Sequence, residues 1–182
     1  MYETPVEYDN RVRFRRPPVP VDTSIIGKPM TPTVNVVERS PVSVFARAVK
    51  DDSEIYQRPD KAQEAGFDNI PLPPTFGFSF SQWGNFPELQ PADTSDGDNP
   101  IMTTIGALMK SGGLILHGEQ EFIYHAPIVV GDQLEGAGKI SDIYEKTSSS
   151  GSTMTFVASE TEYRNQRGEL ALTSIMTLVH KA

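Results

Sequence analysis

Three histidines, no cysteine and a spread of acidic side chains hold most of the chemistry open to this chain. His117 stands in His117-Gly118-Glu119, an imidazole one glycine away from a carboxylate. An imidazole held near a carboxylate can move protons close to neutral pH. If it faced a cleft beside Asp51, His117 would be a candidate general base. The competing reading makes it a buried histidine that bonds a backbone carbonyl and fixes the entry to a strand. His125 is expected at a surface or subunit contact. His180, near the end of the sequence, is given no role. Three dispersed histidines without cysteine argue against a metal site, and no cofactor is expected. Arg11, Arg13, Arg15 and Arg16 gather in a proline-rich segment, residues 1–22. One reading is an irregular arm lying on a neighbouring surface. The other has its guanidiniums reach a phosphate-bearing ligand or an acidic partner subunit.

The elements that must position these groups follow from periodicity. Glu119 to Ala126 alternates as a strand, with Phe122, Tyr124 and Ala126 on one face and Glu121, Ile123 and His125 on the other. Pro127 and Gly131-Asp132 close it. Residues 133–144, 153–163 and 170–181 read as three further strands. A polar loop at 146–152 and an Asn165–Gly168 turn join them. Earlier, Thr33–Val37 is a short strand. Ser40 and Pro41 fit the N-cap and first position of a helix whose apolar stripe is Val44, Phe45, Ala48 and Val49. Pro59–Ala65 predicts a second helix, stopped by Gly66. Pro71-Leu72-Pro73-Pro74 launches Thr75–Trp83, read as a helix although Phe76, Phe78 and Phe80 also alternate as in a strand. Residues 84–100 are loop-like, and Ile101–Lys110 is helical. The sum predicts an α+β domain over residues 23–182, its antiparallel sheet wrapped around a helix, with an insertion at about 84–112.

Composition bounds the function. The chain has 182 residues, 22% of them charged and 37% hydrophobic, which suits one soluble domain. A net charge of -8 argues against binding nucleic acid through its phosphates. No apolar run reaches the ~20 residues of a membrane span, and the first residues lack the apolar core of a signal peptide. A cytoplasmic protein is expected.

Pro73-Pro74-Thr75-Phe76, His117 to Phe122, and Tyr124-His125-Ala126-Pro127 with Gly131-Asp132 together resemble the MaoC-like dehydratase family. The likeness is to its N-terminal-type hot-dog domain and spans roughly residues 27–181. It implies a single hot-dog fold that works in pairs, as two halves of one chain or as two subunits. It also implies hydration of trans-2-enoyl thioesters to (R)-3-hydroxyacyl thioesters, or the reverse dehydration. Catalytic members carry Asp-x-Asn-Pro-x-His, because a carboxylate and an imidazole on one rigid turn can position and deprotonate the attacking water. Anchored on Ala65-Gly66-Phe67, the pattern places Asp51 on the Asp, Ser53 on the Asn, Glu54 on the Pro and Tyr56 on the His. A phenol is a poor base at neutral pH. Pro73-Pro74 falls where the family has the His-Gly whose backbone N–H steadies the oxyanion, and proline has no N–H. Gly97-Asp98-Asn99-Pro100-Ile101 shares part of that pattern but lacks its spacer and ends in Met102; it reads as an acidic surface loop.

The resemblance therefore implies a non-catalytic subunit of a heteromeric hydratase. Its partner would be a hot-dog subunit that keeps Asp and His, in a hetero-dimer or hetero-tetramer. The substrate would be a thioester of coenzyme A or acyl carrier protein with a long or bulky acyl group, of fatty acid or steroid type. Pro74, Thr75, Phe76, Phe78 and Trp83 would line the acyl tunnel, and the 84–112 insertion would line or cap it. The alternatives are a self-sufficient thioesterase or hydratase using Asp51 and His117, and a non-enzymatic acyl-thioester binding module.

Overall fold

A computed structural model describes residues 22–92, 99–110, 112–149 and 151–181. The four arginines of the N-terminal segment and the Gly97-Asp98 half of the acidic loop lie outside the described residues. Five strands form one antiparallel sheet: β1 (Thr33–Val36), β2 (Leu114–Tyr124), β3 (Gln133–Thr147), β4 (Thr153–Asn165) and β5 (Leu170–Lys181). Their order is β1-β3-β4-β5-β2. β3 shows why this sequence makes strands. Leu134, Gly136, Gly138 and Ile140 are buried and alternate with exposed Gln133, Glu135, Ala137 and Lys139. A bulge between Ile140 and Asp142 brings Ile143 back to the covered face. β2 shifts register at Gly118, where a Cβ would come within 2.5 Å of Val179 Cγ2.

Three α-helices precede or interrupt the sheet: α1 (Arg39–Ala48), α2 (Pro59–Glu64) and α3 (Pro100–Lys110). α1 corrects two details of the sequence reading. It begins at Arg39, with Glu38 as N-cap, so Ser40 sits inside the first turn and caps nothing. Its inward face is Val42, Phe45 and Ala46, while Val44, Ala48 and Val49 are exposed. The two apolar stripes share Phe45, which packs edge-on against Phe76 with ring centres 5.3 Å apart. That contact decides which stripe turns inward.

The segment opened by Thr75 is a six-residue 3-10 helix, Phe76–Ser81. Its winding accounts for the ambiguous alternation: Phe76 and Phe80 are buried, and Phe78 between them points out. Gly77 lets this turn lie against the sheet, since a Cβ there would stand 3.0 Å from both Leu172 and Phe122 side chains. Buried Asn35 in β1 fixes its end by donating to the carbonyls of Phe80, at 2.6 Å, and Trp83, at 3.2 Å. The helical layer that covers the sheet is thus in two pieces. The 3-10 turn and α1 close one core with Val42, Ile70, Leu134 and Leu172. α3 closes a second, in which Ile101 and Leu108 meet Ile140, Ile143 and Val157.

Candidate functional site

The link from α1 to α2 is built to hold one tyrosine in place. Lys50 leaves α1 with a positive φ of 62°, and the N–H of Asp51 returns to the Ala46 carbonyl. The Asp51 carboxylate accepts the Ser53 N–H at 3.1 Å, an Asx turn that starts the 3-10 turn Glu54–Tyr56. Three side chains stitch this turn to α1. Ser43 Oγ donates to the Tyr56 carbonyl at 2.8 Å. Gln57 Nε2 donates to the Ser43 carbonyl at 3.1 Å, and Arg39 Nη2 to the Gln57 carbonyl at 2.9 Å.

Tyr56 opens onto a cleft of about 460 Å³, within the range of small-ligand sites. Ile55, Phe67, Pro71, Leu72 and Pro74 form one wall, and the end of β2 with the residues after it, Tyr124 to Ile128, forms the other. The Tyr124 hydroxyl donates to the Pro74 carbonyl at 3.0 Å. Burial, with Tyr56 nearby, pushes the Tyr124 phenol up to about 12. Tyr56 is also raised, by burial first and then by the Asp51 carboxylate. Among the described residues its hydroxyl makes no hydrogen bond.

The fold thus brings Tyr56 and Pro74 to one cleft with Tyr124, while Asp51 starts the turn before Tyr56 and does not line the cleft. It scatters the other candidates. Thr75 is exposed at the start of the 3-10 turn, and Phe76 is in the core. Phe78 and Trp83 are each 50% exposed. His117 is exposed, with its ring tilted against Phe78, centres 5.1 Å apart. No contact among the described residues joins it to Asp51. The carbonyl-binding buried histidine expected at 117 is found at 180 instead: His180 is 5% exposed and bonds the Gly112 carbonyl at 2.8 Å. His125 lines the cleft, its Nε2 2.9 Å from Thr173 Oγ1. No described residue of 84–112 lines the cleft; α3 covers the second core instead.

Sequence reasoning missed Tyr124 as a site residue. The available signal was its parity with Phe122 and Ala126, which put the three on one face of the strand. No group of three or more metal-binding side chains occurs among the described residues. No helix among them is long and apolar enough to cross a membrane.

A family model described as the FAS1-like dehydratase domain region matches residues 24–174. The chain belongs to that family. A UPF0336 protein of Saccharopolyspora erythraea is 30% identical over 162 residues, 88% of this chain and 92% of its own length. The family's fold recurs in two complexes from Mycobacterium tuberculosis. A chain of HadBC, a 3R-hydroxyacyl-ACP dehydratase, superposes with a TM-score of 0.61 at 23% identity, covering 85% of this chain and 96% of its own. A chain of the ChsH1-ChsH2 complex gives 0.66 at 19%, covering 84% of each. A MaoC-like dehydratase from Rhodospirillum rubrum gives 0.54 at 17%, covering 86% of this chain and 92% of its own. These likenesses establish the hot-dog fold of a dehydratase family, as the motifs implied.

Proposed function

We propose that this chain is the non-catalytic subunit of a heteromeric (R)-specific enoyl-thioester hydratase or 3-hydroxyacyl-thioester dehydratase. The reading rests on the resemblance, which puts Tyr56 where catalytic members carry the histidine; burial, then Asp51, raises that phenol further from neutrality. A group that keeps its proton at neutral pH cannot take one from water. Pro73-Pro74 adds a second loss. Neither has an N–H to donate to a developing enolate.

The partner is a hot-dog chain that keeps both Asp and His, as suggested by the heteromeric assembly of HadBC and ChsH1-ChsH2. β2, at one end of the strand order, offers the edge for pairing, since it bonds only to β5 among the described strands. Leu114, Leu116 and Ile123 along it are exposed. The substrate is a thioester of coenzyme A or acyl carrier protein with a long or bulky acyl group. Phe78 and Trp83, half-exposed, exposed Thr75 and Pro74 at the cleft wall would meet the acyl chain in the assembled pair, with buried Phe76 backing them. The residues 1–22 arm would serve ligand phosphates or the partner.

The test is hydration of crotonyl-CoA and of a bulkier enoyl-CoA by this chain alone, and by this chain mixed with an Asp/His-bearing hot-dog chain from the same genome. The expected result is activity in the mixture beyond that of the partner alone, and none from the lone chain. Full hydratase activity from the lone chain would refute the proposal. Release of free thiol would mark a thioesterase.

A further inference from the structure

We propose that the segment from Gly84 to Gln90 seals the outer edge of β1, so that the sheet keeps one open edge and recruits one partner through it; the choice of β2 as that edge rests on the subunit reading above. β1 and β2 end the strand order. Either end of such a sheet can add a strand from another chain. The two ends are treated differently here. At Val34 and Val36, backbone groups turn away from β3 and meet the segment instead. The Gln90 side-chain amide engages both groups of Val34: its Oε1 accepts the Val34 N–H at 2.9 Å and its Nε2 donates to the Val34 carbonyl at 2.9 Å. That is the donor and acceptor a neighbouring strand would offer. Two residues further on, the Gly84 carbonyl accepts the Val36 N–H at 2.8 Å. The Val36 carbonyl lies beneath Gly84, where any Cβ would collide with it.

The segment is tied down at both ends. Gln90 Nε2 also donates to the Phe86 carbonyl at 2.9 Å, closing the 3-10 turn Pro87–Leu89, and Asn35 holds the carbonyls of Phe80 and Trp83 just before Gly84. Its outer surface carries exposed Asn85, Pro87 and Glu88. Proline and charge at that place give a further strand nothing to pair with. β2 has the opposite character. It runs for 11 residues, bonds only to β5 among the described strands and exposes Leu114, Leu116 and Ile123. An uncovered β1 would accept the β2 of a second copy. That head-to-tail contact does not close on itself and grows into filaments. With β1 sealed, pairing through β2 stops at two chains, and the partner it fits is a single chain that presents an open edge strand of its own.

The test compares the full chain, without a partner, with Gln90→Ala and Gln90→Glu. Gln90→Ala removes both bonds to Val34. Gln90→Glu keeps the side-chain length but sets a carboxylate against the Val34 carbonyl, which expels it from the edge. Amide hydrogen exchange reads the seal at Val34, and sedimentation velocity across a concentration series reads the assembly. Far-UV circular dichroism checks that the sheet is kept; should Gln90→Ala lose it, Gln90→Glu carries the test with the same two readouts. The expected result is Val34 exchange faster by about fivefold to tenfold, the range of one lost neutral hydrogen bond. The variants should also form species larger than those of the unaltered chain, growing with concentration. Unchanged exchange at Val34, or faster exchange with an assembly no larger than that of the unaltered chain at any concentration, would overturn the proposal. So would open-ended growth of the unaltered chain. None of these readouts involves hydration of a thioester, so their failure is distinct from failure of the subunit reading.

Discussion

Replacing Asn35 with alanine tests how the helical layer is held to the sheet. Asn35 is 2% exposed and spends both amide protons on the carbonyls of Phe80 and Trp83. Removing the amide forfeits a net hydrogen-bond contribution of about 1 kcal/mol and leaves the Phe80 carbonyl without that donor. An orphaned buried group costs about 1–3 kcal/mol more. The expected loss is about 2–4 kcal/mol. A domain of this size loses about 2–4 °C of melting temperature per kcal/mol, so calorimetry should show a drop of roughly 5–15 °C. Asn35→Asp keeps the shape but turns a donor into a carboxylate aimed at two carbonyls, and should cost at least as much. Trp83 is the single tryptophan, so its emission reports the same anchor. It should shift red before the global transition in both variants. A change below about 0.5 kcal/mol in Asn35→Ala, with Trp83 emission unmoved, would refute the anchoring role.

Three further outcomes follow from single positions. Gly84 has φ of +71°, and a Cβ there would land on the Val36 carbonyl, while its own carbonyl accepts the Val36 N–H at 2.8 Å. Gly84→Ala should therefore cost at least about 2 kcal/mol in urea unfolding. The Tyr163 phenol, packed against Phe80 and over Gly136, is pushed by burial up to about 12. Below pH ~10 it is neutral in both states, and between ~10 and ~12 the unfolded chain ionises first. Stability should then fall with rising pH by up to about 2–3 kcal/mol from this residue, a loss that Tyr163→Phe removes when urea midpoints are compared at pH 9.5 and 11.5. Finally, under the proposed function Tyr56→His would put an imidazole where the resemblance expects the family's histidine, without supplying the N–H that Pro73-Pro74 lack. The lone variant should hydrate crotonyl-CoA at under about a hundredth of the partnered rate, since one lost oxyanion donor alone costs about 10²–10³.

The sheet was legible because each strand has one covered face, and a period of two writes that face into the sequence. β3 is the clearest case, with its run of four alternating buried positions. The helices were less so. α1 carries two overlapping apolar stripes, and only the ring of Phe76, 31 residues beyond Phe45, chooses between them. The Thr75–Trp83 segment was ambiguous for a related reason. Its short 3-10 winding exists because Gly77 permits close approach to Leu172 and Phe122, and because Asn35 ties off its far end. None of these three partners is near it in the sequence.

The site divides along the same line. The resemblance pointed to Asp51, Tyr56 and Pro74, through the family's motif counted from Ala65-Gly66-Phe67. It did not reach the wall opposite. Tyr124 to Ile128 arrive there through an isolated bridge from Pro71 to Val129 and the bond from the Leu72 N–H to the Ile128 carbonyl. His117 shows the converse error. It was a candidate base beside Asp51, but its imidazole rests on Phe78 and no contact among the described residues joins it to Asp51. His180 lies on β5, paired with Ile115 across the edge, and that depth gives it the buried carbonyl contact. Which histidine is buried is thus set by strand order, with β2 at the edge and β5 inside, and strand order is a property of pairing that no local spacing encodes.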